Sequence, residues 1–108
     1  MGIIRDEKLE DVKIALEKVG IIGLNVTEVK GRGRQKGIPL QWRATTYIVD
    51  MLPKIKLDIV VKDEDLEKVV NTILESAWTG NFGDGMIFVI PVEEVIRVRT
   101  GERGEDAL

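Results

Sequence analysis

Three segments of the chain carry more glycine and charge than folding alone requires. The first is Gly31-Arg32-Gly33-Arg34-Gln35-Lys36-Gly37. Alternating glycines let backbone N–H groups approach an anion, and the basic side chains between them add charge. A solvated strand end running into a loop is the plainer reading of the same residues. The second is Thr79-Gly80-Asn81-Phe82-Gly83-Asp84-Gly85, a glycine-rich turn that can cradle a phosphate or simply reverse the chain. It lacks the GK[ST] ending of a Walker P-loop and does not open a helix as a dinucleotide fingerprint must. The third is Arg97-Val98-Arg99. On a strand, alternate residues share a face, so both guanidinium groups would point the same way. Like charges so placed repel unless an anion lies between them, and planar guanidinium forks suit phosphate oxygens. A pair of solvated arginines on an edge strand is the alternative.

The inventory restricts the chemistry further. The chain has no histidine and no cysteine, which removes the commonest general base at neutral pH, thiol catalysis, disulfides and thiolate metal sites. Ser76 is the only serine and no activating base lies near it in sequence, so a Ser-His-Asp arrangement is excluded. Carboxylate and lysine chemistry remain, and the balance favours a small soluble regulator over an enzyme. With 108 residues the chain fits one domain, spanning 1–108, and at that size oligomerisation is a natural way to bury more surface. A net charge of −3 argues against a general nucleic-acid partner. No apolar run approaches a membrane span, and the N-terminus shows no signal-peptide pattern. The expected compartment is the cytoplasm, with a membrane reached only through a partner.

The elements that must position these segments follow from periodicity. Ile3 and Ile4 begin a short strand. Asp6 is the expected cap of a helix running through Val19, with Leu9, Val12, Leu16 and Val19 as its buried stripe and Gly20 as its stop. Residues 23–35 alternate and are β-branched, as in a strand. Residues 37–53 break the pattern and form a long loop, in which Tyr47 to Met51 could extend a hairpin. Lys54 to Val61 alternates again as a strand. Asp63 is the expected cap of a second helix ending near Ala77. Met86 to Ile90 reads as a buried strand, Ile96 to Arg99 as a possible further one, and residues 100–108 as a flexible acidic tail. The order strand, helix, strand, strand, helix, strand predicts an α+β, ferredoxin-like split βαβ fold: an antiparallel four-stranded sheet with two helices on one face.

Four blocks, Val29 to Gly37, Tyr47 to Lys54, Thr79 to Val89 and Val95 to Glu102, resemble the signature segments of the PII nitrogen-regulatory proteins, the GlnB/GlnK family. The similarity runs from about Gly2 to the C-terminus with no gap. The resemblance implies a homotrimer that binds ATP or ADP in clefts between subunits and 2-oxoglutarate beside Mg²⁺-ATP. It also implies a long T-loop, here about 37–53, that docks on an ammonium transporter or a nitrogen-metabolism enzyme. Carried over by position, the nucleotide site would use Ile3, Gly33, Arg34, Gln35 and Val60. Gly83, Asp84, Gly85 and Met86 of a glycine-rich B-loop at about 78–86 would join it, with Arg97 and Arg99 on the phosphates. Gln35 would help ligate Mg²⁺, and Lys54, with Arg5 nearby and Gln35, would hold 2-oxoglutarate. A dianion needs cations, and its keto-acid oxygens chelate a hard metal, so its binding would depend on the nucleotide-held ion.

The departures from that pattern are specific. Met86 stands where the family usually has a phosphate-binding lysine. Asn25 replaces a threonine, Asn81 a frequent lysine and Asp6 a proline, and the first strand begins several residues late, which suggests a natural start upstream. Arg43 matches the docking arginine at the family's loop tip and Trp42 beside it replaces a tyrosine; an exposed Trp-Arg pair suits docking, although Trp42 folded back on the protein's own surface is equally open. Tyr47 matches the tyrosine that some members uridylylate, but its flanks differ, and simple packing at the loop base is the alternative. A PII-shaped scaffold that has lost nucleotide sensing, a slow ATPase and an RNA-binding module are the competing readings. The last lacks exposed strand aromatics to stack bases.

Overall fold

The computed structural model describes residues 1–32, 38–42, 45–49 and 51–108, the two short internal stretches by their backbone. Strand β1 (Gly2–Arg5) alternates as its sequence does: Gly2 and Ile4 are buried, while Ile3 and Arg5 face the other way. It pairs antiparallel with β5 (Leu52–Asp58) on one side and β6 (Gly85–Ile87) on the other. Strand β2 (Asn25–Gly31) pairs antiparallel with β5 over its whole length and forms the far edge. The resulting order, β2-β5-β1-β6, is that of the ferredoxin-like split βαβ fold. The interrupted region contains a separate two-stranded ladder, β3 (Ile38–Trp42) against β4 (Thr45–Val49), so the long loop does include a hairpin.

Helix α1 (Leu9–Lys18) begins later than its sequence suggests. Asp6 to Lys8 form a 3-10 turn, and the Asp6 carboxylate accepts from the adjacent Glu7 N–H at 3.0 Å while no side chain caps α1. The end of α1 is a Schellman motif. Gly20 N–H donates to the Glu17 carbonyl at 3.0 Å and Ile21 N–H to Leu16 at 2.9 Å, with Gly20 at φ +86°. That closure moves Ile21, rather than Val19, onto the core. Helix α2 (Leu66–Ala77) repeats the pattern: Asp63–Asp65 form a 3-10 turn, no side chain caps it, and three carboxylates sit at its positive end.

Ile4, Ile55 and Leu57 on one face of the sheet pack against Val12 and Leu16 of α1 and Val69, Ile73 and Ala77 of α2. Both helices therefore cover the same face. Ile59 and Val61 still pack on this core although the strand itself ends at Asp58. Beyond β6 the expected strand at Ile96–Arg99 is replaced by a reversal. Arg97 N–H donates to Glu102 at 2.9 Å, Gly101 N–H donates to Arg97 at 2.7 Å, and Ile96 bridges Arg103. The segment pairs with its own continuation, so its backbone groups are satisfied without joining the sheet. The terminal residues, expected as a flexible tail, carry a 3-10 turn at Gly104–Ala107.

Candidate functional site

The register of β1 against β5 places Arg5 directly opposite Lys54 on the face of the sheet not covered by helices. Two cations so placed need anionic or carbonyl partners. The turn between α2 and β6 supplies them. Arg5 donates through Nε to Asp84 Oδ1 at 2.9 Å and through Nη2 to the Phe82 carbonyl at 2.6 Å. Lys54 Nζ donates to the Gly83 carbonyl. Burial and the charge of Arg5 lower the Lys54 pKa, with Glu7, Asp84 and Asp6 opposing the shift.

Asp84 organises this turn. Its carboxylate accepts from Thr79 N–H at 2.7 Å, from Gly80 N–H at 2.8 Å, from the Thr79 hydroxyl and from Arg5. Burial on its own would raise the Asp84 pKa, but the donors from Thr79, Arg5 and Gly80 together hold it well below the usual carboxylate range. The turn re-enters the sheet at Gly85, at φ +112°, where a Cβ would lie 1.7 Å from the Ile3 carbonyl oxygen. Only glycine fits there, because the opposing atom is backbone.

Of the residues singled out from sequence, Ile3, Asp84, Gly85 and Met86 line one cavity of about 330 Å³, shared with Leu74 and Trp78. Arg5, Lys54 and Gly83 join them through the contacts above. Met86 is 66% exposed and lies beside Ile3 in the ladder, an apolar pair on the face that also carries Arg5, Lys54 and Lys56. Val60 belongs to a second groove of about 560 Å³, with Val95 and Leu108. Arg97 pairs with Glu102 at 3.7 Å and donates to the Leu108 carbonyl at 3.2 Å. Because this segment is a reversal and not a strand, Arg97 and Arg99 lack the shared strand face expected of them. Gly33, Arg34, Gln35 and Arg43 lie outside the described residues; Trp42 and Tyr47 fall in β3 and β4, paired by backbone with Thr45 and Leu40. Among the described residues, no group of three acidic side chains could hold a metal ion. No described helix is long and apolar enough to cross a membrane.

Sequence reasoning placed Thr79 in the glycine-rich turn without giving it a role, and missed the bond between Arg5 and Asp84, which are 79 residues apart. The available signal was a threonine and an aspartate bracketing a glycine-rich turn, a spacing that lets the side chain close the turn it ends. Arg5 and Lys54 are thus adjacent, partly buried cations whose described partners lie in the glycine turn, and Gly85 lies directly against the Ile3 carbonyl.

A ferredoxin-like sheet carrying a long hairpin loop and a carboxylate-tied glycine turn makes this a small α+β domain. The family model for Nitrogen regulatory protein P-II matches residues 1–102. "Nitrogen regulatory protein P-II 2" of Methanothermobacter thermautotrophicus is 56% identical over 108 residues, covering 100% of this chain and 94% of the relative. "Nitrogen regulatory protein P-II 1" of the same organism is 58% identical over 107 residues, covering 99% and 93%. The P-II protein of Azospirillum brasilense is 53% identical over 107 residues, covering 99% and 96%. The chain belongs to the P-II family of nitrogen regulatory proteins, and is a regulator of nitrogen metabolism rather than an enzyme.

Proposed function

We propose that the chain is a cytoplasmic homotrimeric sensor that reads ATP or ADP, Mg²⁺ and 2-oxoglutarate in clefts between subunits. Its output is control of a protein target, an ammonium transporter, through the loop at 37–53. The observation that carries this reading is the division of the candidate residues into two groups within one chain. Ile3, Arg5, Lys54, Gly83, Asp84, Gly85 and Met86 gather around the glycine turn, whereas Val60 lines a separate groove and Arg97 is tied to the chain end beside it. Such halves make one site when a neighbouring copy supplies the second half. The exposed β2 edge and the exposed Phe88, Val89, Ile90 and Val98 are surfaces that assembly would bury.

In this reading Gly33, Arg34, Gln35 and the glycine turn hold the nucleotide, with Arg97 and Arg99 on its phosphates. Gln35 assists the metal, while Lys54 and Arg5 take the carboxylates of 2-oxoglutarate. Trp42 and Arg43 dock the target, and Tyr47 is available for modification. Calorimetry with ATP and ADP, with and without Mg²⁺ and 2-oxoglutarate, tests the sensor; absence of heat in every combination would sink it. Light scattering tests the assembly, and a monomer at all concentrations would remove the shared clefts.

Met86 favours a second reading. An exposed thioether beside Ile3 offers a phosphate nothing, where the resemblance places a lysine. A P-II-shaped scaffold with altered or lost nucleotide sensing would bind its partner equally with and without nucleotide, and pull-down under both conditions distinguishes it.

A further inference from the structure

We propose that Lys56 is a phosphate-binding residue, supplying from β5 the cation that position 86 does not carry on β6. This rests on the reading of the glycine turn and its exit at Gly85 and Met86 as the nucleotide site. Ile3 pairs with Met86 on one side and with Lys56 on the other. The three residues form one row across the open face of the sheet, because Ile4, Ile55 and Leu57 alternate with them toward the helices. Neighbouring strands lie about 4.8 Å apart, and the four-carbon stem of a lysine spans that gap. An anion seated over Ile3 is therefore within reach of Lys56, from the side opposite Met86.

The three cations of β1 and β5 differ in what they already hold. Arg5 is bonded to Asp84 and to the Phe82 carbonyl, with Glu7 at 3.9 Å, and Lys54 donates to the Gly83 carbonyl. Those contacts build the turn that a nucleotide needs intact. Lys56 takes no part in them. Its ion pair is with Asp58, two residues along the same strand face, at 3.7 Å, with side chains 34% and 42% exposed. Its neighbour on β2, Thr27, carries no charge. A loose, solvated ion pair of this kind contributes little. The Lys56 ammonium can therefore turn to a multiply charged phosphate and leave the glycine turn as it is.

The test is ATP calorimetry on the full-length protein as wild type, Lys56→Met, Met86→Lys and the double variant, beside amine acylation of wild type read by mass spectrometry. Lys56→Met should weaken ATP by about 10- to 100-fold, the effect of removing one charge-assisted contact. Met86→Lys should restore most of that loss in the double variant. A lysine that only packed, or only paired with Asp58, would not be rescued from two strands away. In wild type, ATP should slow acylation of Lys56 severalfold and leave Lys18, exposed on α1, unchanged; this measurement needs no substituted protein to fold. Unchanged ATP affinity in a folded Lys56→Met, a loss that Met86→Lys leaves unrepaired, or acylation of Lys56 unaffected by bound ATP each overturns the role of Lys56 while leaving the sensor intact. No ATP heat from wild type in any condition removes the sensor reading, and this role with it.

Discussion

Replacing Gly85 by alanine tests the tie between the glycine turn and the sheet. The added Cβ would lie 1.7 Å from the Ile3 carbonyl oxygen, 2.8 Å from its carbon and 3.2 Å from the Ile4 Cα. All three are backbone atoms of the central strand β1, so no side chain can swing aside. Relief requires β6 to move off β1, where Gly2, Ile3 and Ile4 pair with Ile87, Met86 and Gly85. Positive φ on alanine costs about 1–2 kcal/mol, and losing two ladder hydrogen bonds about 1 kcal/mol each, so the total is about 3–4 kcal/mol. For a domain of this size that lowers the melting midpoint by roughly 12–30 °C. The assay is urea denaturation at fixed protein concentration, since assembly would otherwise shift the midpoint. Gly104→Ala is the control: its φ is +67° but nothing lies within 4 Å of the added Cβ, leaving only the conformational cost. Equal losses for the two variants would refute the close-approach argument and reduce Gly85 to an ordinary turn residue.

Other consequences can be measured alongside. The Asp84 pKa is lower in the folded protein than in the unfolded chain, so its contribution is complete above about pH 4 and is lost as pH falls through the folded value. Asp84→Asn should therefore narrow the stability gap to wild type as acid is added, which denaturation at pH 7 and pH 3 would reveal; a constant gap would contradict it. Met86→Lys should tighten ATP by roughly 10- to 100-fold if the position faces phosphate, one charge-assisted contact being about 1.5–3 kcal/mol; calorimetry with no gain would place the phosphates elsewhere. Leu57→Ala, at a fully buried site on β5 beneath both helices, should cost about 2–5 kcal/mol in denaturation, and a loss below 1 kcal/mol would contradict the core assignment.

Much of the fold was legible because its signals are local. The stripes Val12–Leu16 and Val69–Ile73–Ala77 and the alternation Ile55–Leu57 announce their faces within a few residues. Helix starts were not legible: Asp6 and Asp63 have the right chemistry for caps, yet each enters a 3-10 turn and the α-helix begins three residues later. Arg97-Val98-Arg99 alternates like a strand, but the Arg97 N–H donates to the Glu102 carbonyl and the Gly101 N–H donates back to Arg97, folding the segment onto itself. Local pattern cannot report a competing partner further along the chain.

The candidate site divides in the same way. The sequence alone excluded histidine and cysteine chemistry and singled out segments rich in glycine, arginine and lysine as candidates, and its signature blocks pointed to the P-II family. Tertiary structure decided which of these residues meet. Arg5 faces Lys54 because of the β1–β5 register, and both reach the 79–84 turn because β6 joins the other side of β1. Those contacts close over separations of 29 to 79 residues, which only the antiparallel ladder fixes.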